Sequence, residues 1–265
     1  MWTSVVVALT ALAAPAAESG TLSLANVRAT YGVLGPKRND NKVLPGDRYV
    51  LSFDIEGITI GPDGKVAYSI ATQVTGSDGR VKLQQDAKPV EAPTSLGGGR
   101  VPAHAWLDVG LDMPPGVLTF KITVTDRTAG VSKSVTREVQ VLPKSFGIVR
   151  TSITNDPDGQ LPAAAFGAGQ AAWIQMGAVG FDAPRGGDAP SVSFVMRILD
   201  SNGRPTQARP VESPASKNVQ AGATLAPVQF LLALNRPGRF LIEVTATDAV
   251  SNKSAKLTVP LVVSE

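Results

Sequence analysis

Pro115-Gly116-Val117-Leu118-Thr119-Phe120-Lys121-Ile122-Thr123-Val124-Thr125-Asp126 sets the reading of the whole chain. Phe120, Ile122 and Val124 alternate with polar residues, the period of a strand with one apolar face. About 120 positions later, Pro237-Gly238-Arg239-Phe240-Leu241-Ile242-Glu243-Val244-Thr245-Ala246-Thr247-Asp248 repeats the frame, with Phe240, Ile242 and Val244 on the apolar side. The recurrence spreads outward from these stretches. Val27-Arg28 aligns with Val149-Arg150, Gly46 with Gly169, Gly79-Arg80 with Gly203-Arg204, and Ser132-Lys133-Ser134 with Asn252-Lys253-Ser254. Val90-Glu91-Ala92-Pro93-Thr94-Ser95 aligns with Val211-Glu212-Ser213-Pro214-Ala215-Ser216. The period is too long for a stacked solenoid and suits one small domain, so the chain reads as a duplicated domain.

Strand signals fill both copies. Tyr49, Leu51, Phe53 and Ile55 share one face, with Ser52, Asp54 and Glu56 on the other; Ala172, Ile174, Met176 and Ala178 repeat the pattern. Val66, Tyr68 and Ile70 correspond to Val192, Phe194 and Met196, ahead of the turns Gly76-Ser77-Asp78-Gly79 and Asp200-Ser201-Asn202-Gly203. Closing strands carry Val135, Val139 and Val141, then Leu257, Val259 and Leu261. No segment sustains a helical period. The predicted fold class is therefore all-β, two tandem β-sandwich domains over residues 21–143 and 144–265. Pro143-Lys144-Ser145 leaves almost no linker, which predicts a semi-rigid, elongated pair. Pro260 predicts that its strand is an edge or is bulged.

The N-terminus has the form of a secretory signal peptide over residues 1–17. Val5 to Ala14 is an apolar run too short to span a bilayer, and Ala14-Pro15-Ala16-Ala17 offers small residues for cleavage after Ala16 or Ala17. Met1 to Ser4 departs from the usual form in carrying no Lys or Arg. No later stretch approaches the length of a membrane span. With 0 Cys, an exported chain has no disulfides, so each domain rests on its hydrophobic core. A net charge of +3, with both signs interspersed, argues against nucleic acid or an anionic membrane as partner.

The Pro-Gly opening of residues 115–126, the Thr-Asp at its end, Ser132-Lys133-Ser134 and the Val-rich last strand resemble the closing hairpin of bacterial immunoglobulin-like, PKD-like and macroglobulin-like sandwiches. Residues 237–263 repeat the resemblance. It implies tandem immunoglobulin-like domains of an exported protein, in families that serve as adhesion, spacer or glycan-contacting modules.

Candidate chemistry is sparse. His104 is the sole histidine, and no Gly-x-Ser-x-Gly elbow is present, so neither a histidine-rich metal site nor a hydrolase nucleophile is indicated. Val101, Ala103, Ala105, Leu107, Val109, Leu111 and Met113 read as one face of a strand and His104, Trp106 and Asp108 as the other, so that His104 and Trp106 point outward. The aligned strand in the second copy has Pro227 and Gln229 instead. Trp173 falls on the outer face of its own strand, where it stands in place of Val50. Trp106, His104 and Trp173 are thus the candidates for ligand or partner contact, and the two tryptophans are equally consistent with a structural seam at the domain junction. Asp126, Asp248, Asp156 and Asp158 are candidate calcium ligands, against the plainer reading that each accepts backbone hydrogen bonds in a turn. The loop of residues 37–42 reads as solvated, and no cofactor is indicated. The function expected is a non-enzymatic, periplasmic or extracellular structural or recognition module, contacting another envelope protein or a glycan. The alternatives are a carbohydrate-binding accessory of a secreted enzyme and a calcium-dependent adhesion module.

Overall fold

A computed structural model describes residues 21–182, 189–214, 219, 220 and 222–265. The predicted signal peptide lies outside the described residues, as do Ala215 and Ser216 of the aligned Val-Glu motif. Every regular element described is a strand. The first half contains β1 (Ser23–Thr30), β2 (Lys42–Val43), β3 (Arg48–Glu56), β4 (Lys65–Gly76), β5 (Val81–Pro93), β6 (Arg100–Asp108), β7 (Gly116–Asp126) and β8 (Val131–Val141). The second contains β9 (Gly147–Thr154), β10 (Phe166–Gly167), β11 (Ala171–Val179), β12 (Val192–Leu199), β13 (Val211–Pro214), β14 (Ala226–Ala233), β15 (Gly238–Asp248) and β16 (Ser254–Ser264).

Both halves use one topology. Sheet order β1-β3-β6 opposite β2-β8-β7-β4-β5 recurs as β9-β11-β14 opposite β10-β16-β15-β12-β13. All neighbours are antiparallel except the short β2–β8 and β10–β16 pairings. Alternation explains the core: Tyr49, Leu51, Phe53 and Ile55 of β3 meet Phe120, Ile122 and Val124 of β7 in one buried cluster. Ala172, Ile174 and Met176 meet Phe194, Ile242 and Val244 in the other. With each sheet hydrophobic on one face, packing the two face to face is the arrangement that removes both from water.

Several readings need correction. Ser52 and Asp54 lie opposite the apolar face of β3, yet both are buried. Thr30 Oγ1 and the Leu34 amide hydrogen-bond Ser52, while Asn26 and Arg100 bond Asp54. The loop of residues 37–42 is not simply solvated, because Arg38 turns inward and pairs with Asp47. Several of the aligned stretches are also displaced. Tyr68 and Val192 pair with Asp126 and Asp248, so Tyr68 rather than Val66 matches Val192. Val90 pairs with Tyr68 but Val211 with Met196, and Ser132 pairs with Thr125 as Ser254, not Asn252, pairs with Thr247. The Val-Arg pair is shifted too. Each first strand has a bulge holding a non-glycine residue at positive φ, Asn26 (50°) in β1 and Arg150 (55°) in β9. Asn26 therefore matches Arg150, and Val27-Arg28 matches Thr151-Ser152. By the same register, Trp106 opposes Val50 as Leu231 opposes Trp173, and His104 opposes Ser52 as Gln229 opposes Gln175. The aligned partners of His104 and Trp106 are thus Gln229 and Leu231, while Trp173 does stand in the place of Val50.

Pro260 pairs with Leu241 on one side, while β10 reaches only Val263 and Ser264 on the other. The flank of β16 around Pro260 has no described strand beside it, so the missing N–H leaves no ladder bond unmade.

Candidate functional site

The halves meet at a joint of buried polar groups. Asp47, 4% exposed, precedes β3 and accepts hydrogen bonds from Arg38 Nη1 (3.0 Å), the Arg48 amide (2.8 Å) and the Arg150 amide (2.7 Å). Arg150 Nε also donates to Gly46 O at 2.9 Å. The bulge of β9 turns the Arg150 amide out of its own ladder and toward the first half, which satisfies a donor that would otherwise be orphaned. Arg38 lies over the Tyr31 ring, 5.7 Å from its centroid, and Tyr31 packs into the second half's core cluster. Burial raises the Tyr31 hydroxyl above its ordinary pKa, outweighing the nearby Arg38 charge.

Two glycines permit this approach. At Gly32 (φ 76°) a Cβ would stand 2.7 Å from Ser152 Cβ. At Gly46 (φ 94°) it would stand 2.9 Å from Leu111 Cδ2 and 3.2 Å from Val179 Cγ1. Gly169, aligned with Gly46, shares its positive φ (89°) but faces open space. The turn is common to both copies; the close contact belongs to the joint.

Beside this clamp a cleft of about 620 Å³ opens between the halves, with Arg48, His104, Trp106, Arg150, Thr151 and Gln175 in its walls. Val101, Ala103, Ala105 and Leu107 of β6 are buried while His104 and Trp106 face away from the core, as the alternation requires. The imidazole and indole stack 5.7 Å apart at 14°, and Arg48 lies 5.5 Å from the Trp106 centroid. Arg48 is fixed by Asp108, with Nε to Oδ1 at 2.7 Å and Nη2 to Oδ2 at 3.0 Å. Because His104 precedes Trp106 by two positions and Arg48 opposes Asp108 two positions after it, the indole is held between them. Burial pushes the His104 pKa below its ordinary value, which favours the neutral ring. Thr151 Oγ1 is buried without a hydrogen-bond partner.

Trp173 is elsewhere. It pairs with Thr154 and Leu231, and the stacking partner of Trp106 is His104. The seam between the halves is made by Tyr31, Arg38, Asp47 and Arg150, not by two tryptophans.

The four candidate calcium acids are also placed. Asp126 accepts from the amides of Thr59 (2.8 Å), Thr128 (2.8 Å) and Ala129 (3.0 Å). Asp248 accepts from the amides of Asp182 and Val250 (3.0 Å each) and from Ser251 Oγ. Asp156 accepts from the amides of Gln160 (3.0 Å) and Leu161 (2.6 Å). Asp158 lines the cleft. Among the described residues no three His, Cys, Asp or Glu side chains group as a metal site. Sequence reasoning gives Arg150 only a place in the repeat and Arg38 only a place in a solvated loop, and it leaves Asp47 unmarked. A charged residue at a bulge is visible only once strand register is known, and no local spacing links residues 47 and 150.

Sheets and joint together define an all-β module with a cleft between its halves. No family model matches the sequence, and no curated protein matches it. Among solved structures the chain is similar to the C-terminal domain of the Streptococcus agalactiae antigen I/II polypeptide BspA (10% identity, 91% of this chain, 100% of that one, TM-score 0.31). It is also similar to the C-terminal domain of the Streptococcus pyogenes antigen I/II-family protein AspA (10% identity, 91% and 99%, TM-score 0.31). A third similarity is to the Pseudomonas fluorescens alkylpurine DNA glycosylase AlkC bound to DNA containing an abasic site analog (15% identity, 46% and 30%, TM-score 0.29). TM-scores near 0.3 carry no conclusion about this chain's activity.

Proposed function

We propose that the protein is an exported, non-enzymatic module of two immunoglobulin-like sandwiches, residues 21–143 and 144–265, that presents a fixed cleft at their joint to a protein partner at the cell envelope or outside the cell. The observation that carries this reading is the convergence of residues the two copies do not share. By register, Arg48, His104, Trp106 and Asp108 correspond to Ala171, Gln229, Leu231 and Ala233 in the other copy. A duplicated scaffold needs none of them, yet Arg48, His104, Trp106 and Arg150 line one cleft, and Asp108 holds Arg48 in place there. Pre-formed walls lower the ordering cost of binding. Stacking a sugar requires an open aromatic face, and the indole has His104 on one side and Arg48 on the other, which favours a protein partner over a glycan. The backbone amides that occupy Asp126, Asp248 and Asp156 likewise favour turn-stabilising roles over calcium-dependent adhesion.

The test is a photo-crosslinking residue placed at Gln160 on the cleft, in the cells that make the protein, compared with one at the exposed Val262. A discrete adduct from Gln160 and none from Val262 is expected. Equal adduct patterns from both positions would contradict the proposal.

A further inference from the structure

The two copies differ most sharply at one structural position. In the first, Asp54 of β3 is buried and is held by Asn26 Nδ2 (2.7 Å) from the bulge of β1 and by Arg100 of β6. Burial alone would raise its pKa, but these hydrogen bonds and the Arg100 charge hold the carboxyl below the usual range. That carboxylate is thus a settled part of the fold. Register gives the equivalents in the second copy: Arg150 for Asn26, Gly177 for Asp54 and Leu225 for Arg100. The carboxylate is gone, a cation stands in the bulge, and an apolar side chain replaces the second donor.

A second cleft, about 570 Å³, opens at this place, with Arg150, Gly177, Leu225, Pro227 and Gln229 in its walls. It shares Arg150, Asp158 and Gln175 with the cleft beside Trp106. Arg150 stands where the two meet and forms no ion pair with any described residue, its Nε being engaged by Gly46 O. Gln175 and Gln229 each donate an amide hydrogen to Pro157 O, which aligns their side chains along the groove.

Resting on the reading of the joint as a protein-binding cleft, we propose that the partner supplies the carboxylate which the second copy lacks: an extended, acidic peptide segment lies along the two clefts and places an Asp or Glu side chain on Arg150, at the position Asp54 fills in the first copy. A guanidinium presents paired N–H donors in one plane, the geometry that a carboxylate accepts. Leu225 provides apolar contact for a neighbouring side chain of that segment. Two clefts joined end to end suit an extended chain better than a compact ligand, and the outward amides of Gln175 and Gln229 match the backbone polar groups such a chain carries.

The test uses a capped nonapeptide with one central aspartate among valines and threonines, the same peptide with asparagine, and hexagalacturonate as an acidic sugar probe. Binding to the full chain is followed by calorimetry and by the Arg150 Nε–H resonance. The aspartate peptide is expected to bind about 10- to 100-fold more tightly than the asparagine peptide and to shift that resonance. Arg150→Gln should abolish the preference. Because Arg150 also bonds Gly46, Gly177→Asp serves as a second variant that leaves the arginine in place and supplies the carboxylate internally; the Cβ it adds meets Leu225 Cδ1 at 2.6 Å, Leu225 Cγ at 3.2 Å and Ala226 O at 3.3 Å, so the Leu225 side chain must rotate to admit it. It should abolish the preference while retaining a cooperative thermal transition, which shows that the variant is folded. Equal affinity for the two peptides, a preference retained in Gly177→Asp, or binding of hexagalacturonate alone would overturn the inference. If the Gln160 crosslink persists while the aspartate preference is absent, the module reading stands and the carboxylate inference falls.

Discussion

Replacing Asp47 by Ala removes the acceptor on which the joint depends. The carboxylate is buried, its Arg38 partner is 13% exposed, and the amides of Arg48 and Arg150 both end on it. Breaking a buried ion pair by deleting one partner costs about 3–5 kcal/mol, since the remaining charge is left without its counter-ion. Arg38 keeps Asp40 and the Lys42 carbonyl, which pulls the figure toward the lower end. The orphaned Arg150 amide adds about 1 kcal/mol or more. Together these place the loss at about 3–5 kcal/mol, or a Tm decrease of about 6–20 °C for a chain of this size. Asp47→Asn retains an acceptor oxygen and should cost about 1–2 kcal/mol. Urea unfolding gives the totals, and hydrogen exchange at the Arg150 amide locates the effect. A loss below about 1 kcal/mol for Asp47→Ala, with the Arg150 amide still protected, would refute the reasoning.

Gly32→Ala and Gly79→Ala share the penalty of positive φ (76° and 74°), but only Gly32 also meets a neighbour, Ser152. Gly79→Ala should cost about 1 kcal/mol and Gly32→Ala at least about 1 kcal/mol more, measured by urea unfolding; equal losses would remove the close contact from the account. At Asp126 and Asp248, burial raises the carboxyl pKa, but hydrogen bonds, chiefly from backbone amides, outweigh it and leave both below the usual range. The unfolded state then binds more protons, so the stability these groups add is present above about pH 5 and lost as pH falls through their folded pKa. Asp126→Asn/Asp248→Asn should therefore show a shallower fall in stability between about pH 5 and 3 than the wild type, and an unchanged slope would count against it. Trp106→Ala should lower stability by only about 1–2 kcal/mol, because the indole is 39% exposed, while weakening the Gln160 crosslink severalfold; an unaltered crosslink would exclude Trp106 from the contact.

Much of the fold could be read directly. Alternation at Tyr49, Leu51, Phe53 and Ile55, and at Phe120, Ile122 and Val124, places core residues because a pleated strand sends successive side chains to opposite faces. The outward setting of His104 and Trp106 follows from the same period. The joint was not legible, for a physical reason. Asp47 meets Arg38 and Arg150 through a turn and a bulge, and an inserted residue shifts every later pairing in its strand. That shift also displaced the alignment of Val27-Arg28 with Val149-Arg150 and hid the replacement of Asp54 by Gly177. Identity in sequence marked where the copies share turns, at Gly46 and Gly169. Register was required to show where they differ.

The account depends most on a joint that holds the two halves, and hence the cleft, in one arrangement. The chain has no cysteine, so spin labels can be placed singly at the exposed Lys121 and Val262. The distance distribution between them, measured by pulsed electron resonance, should be single and narrow in the wild type and broad in Asp47→Ala. A broad or multiply peaked wild-type distribution would contradict the account.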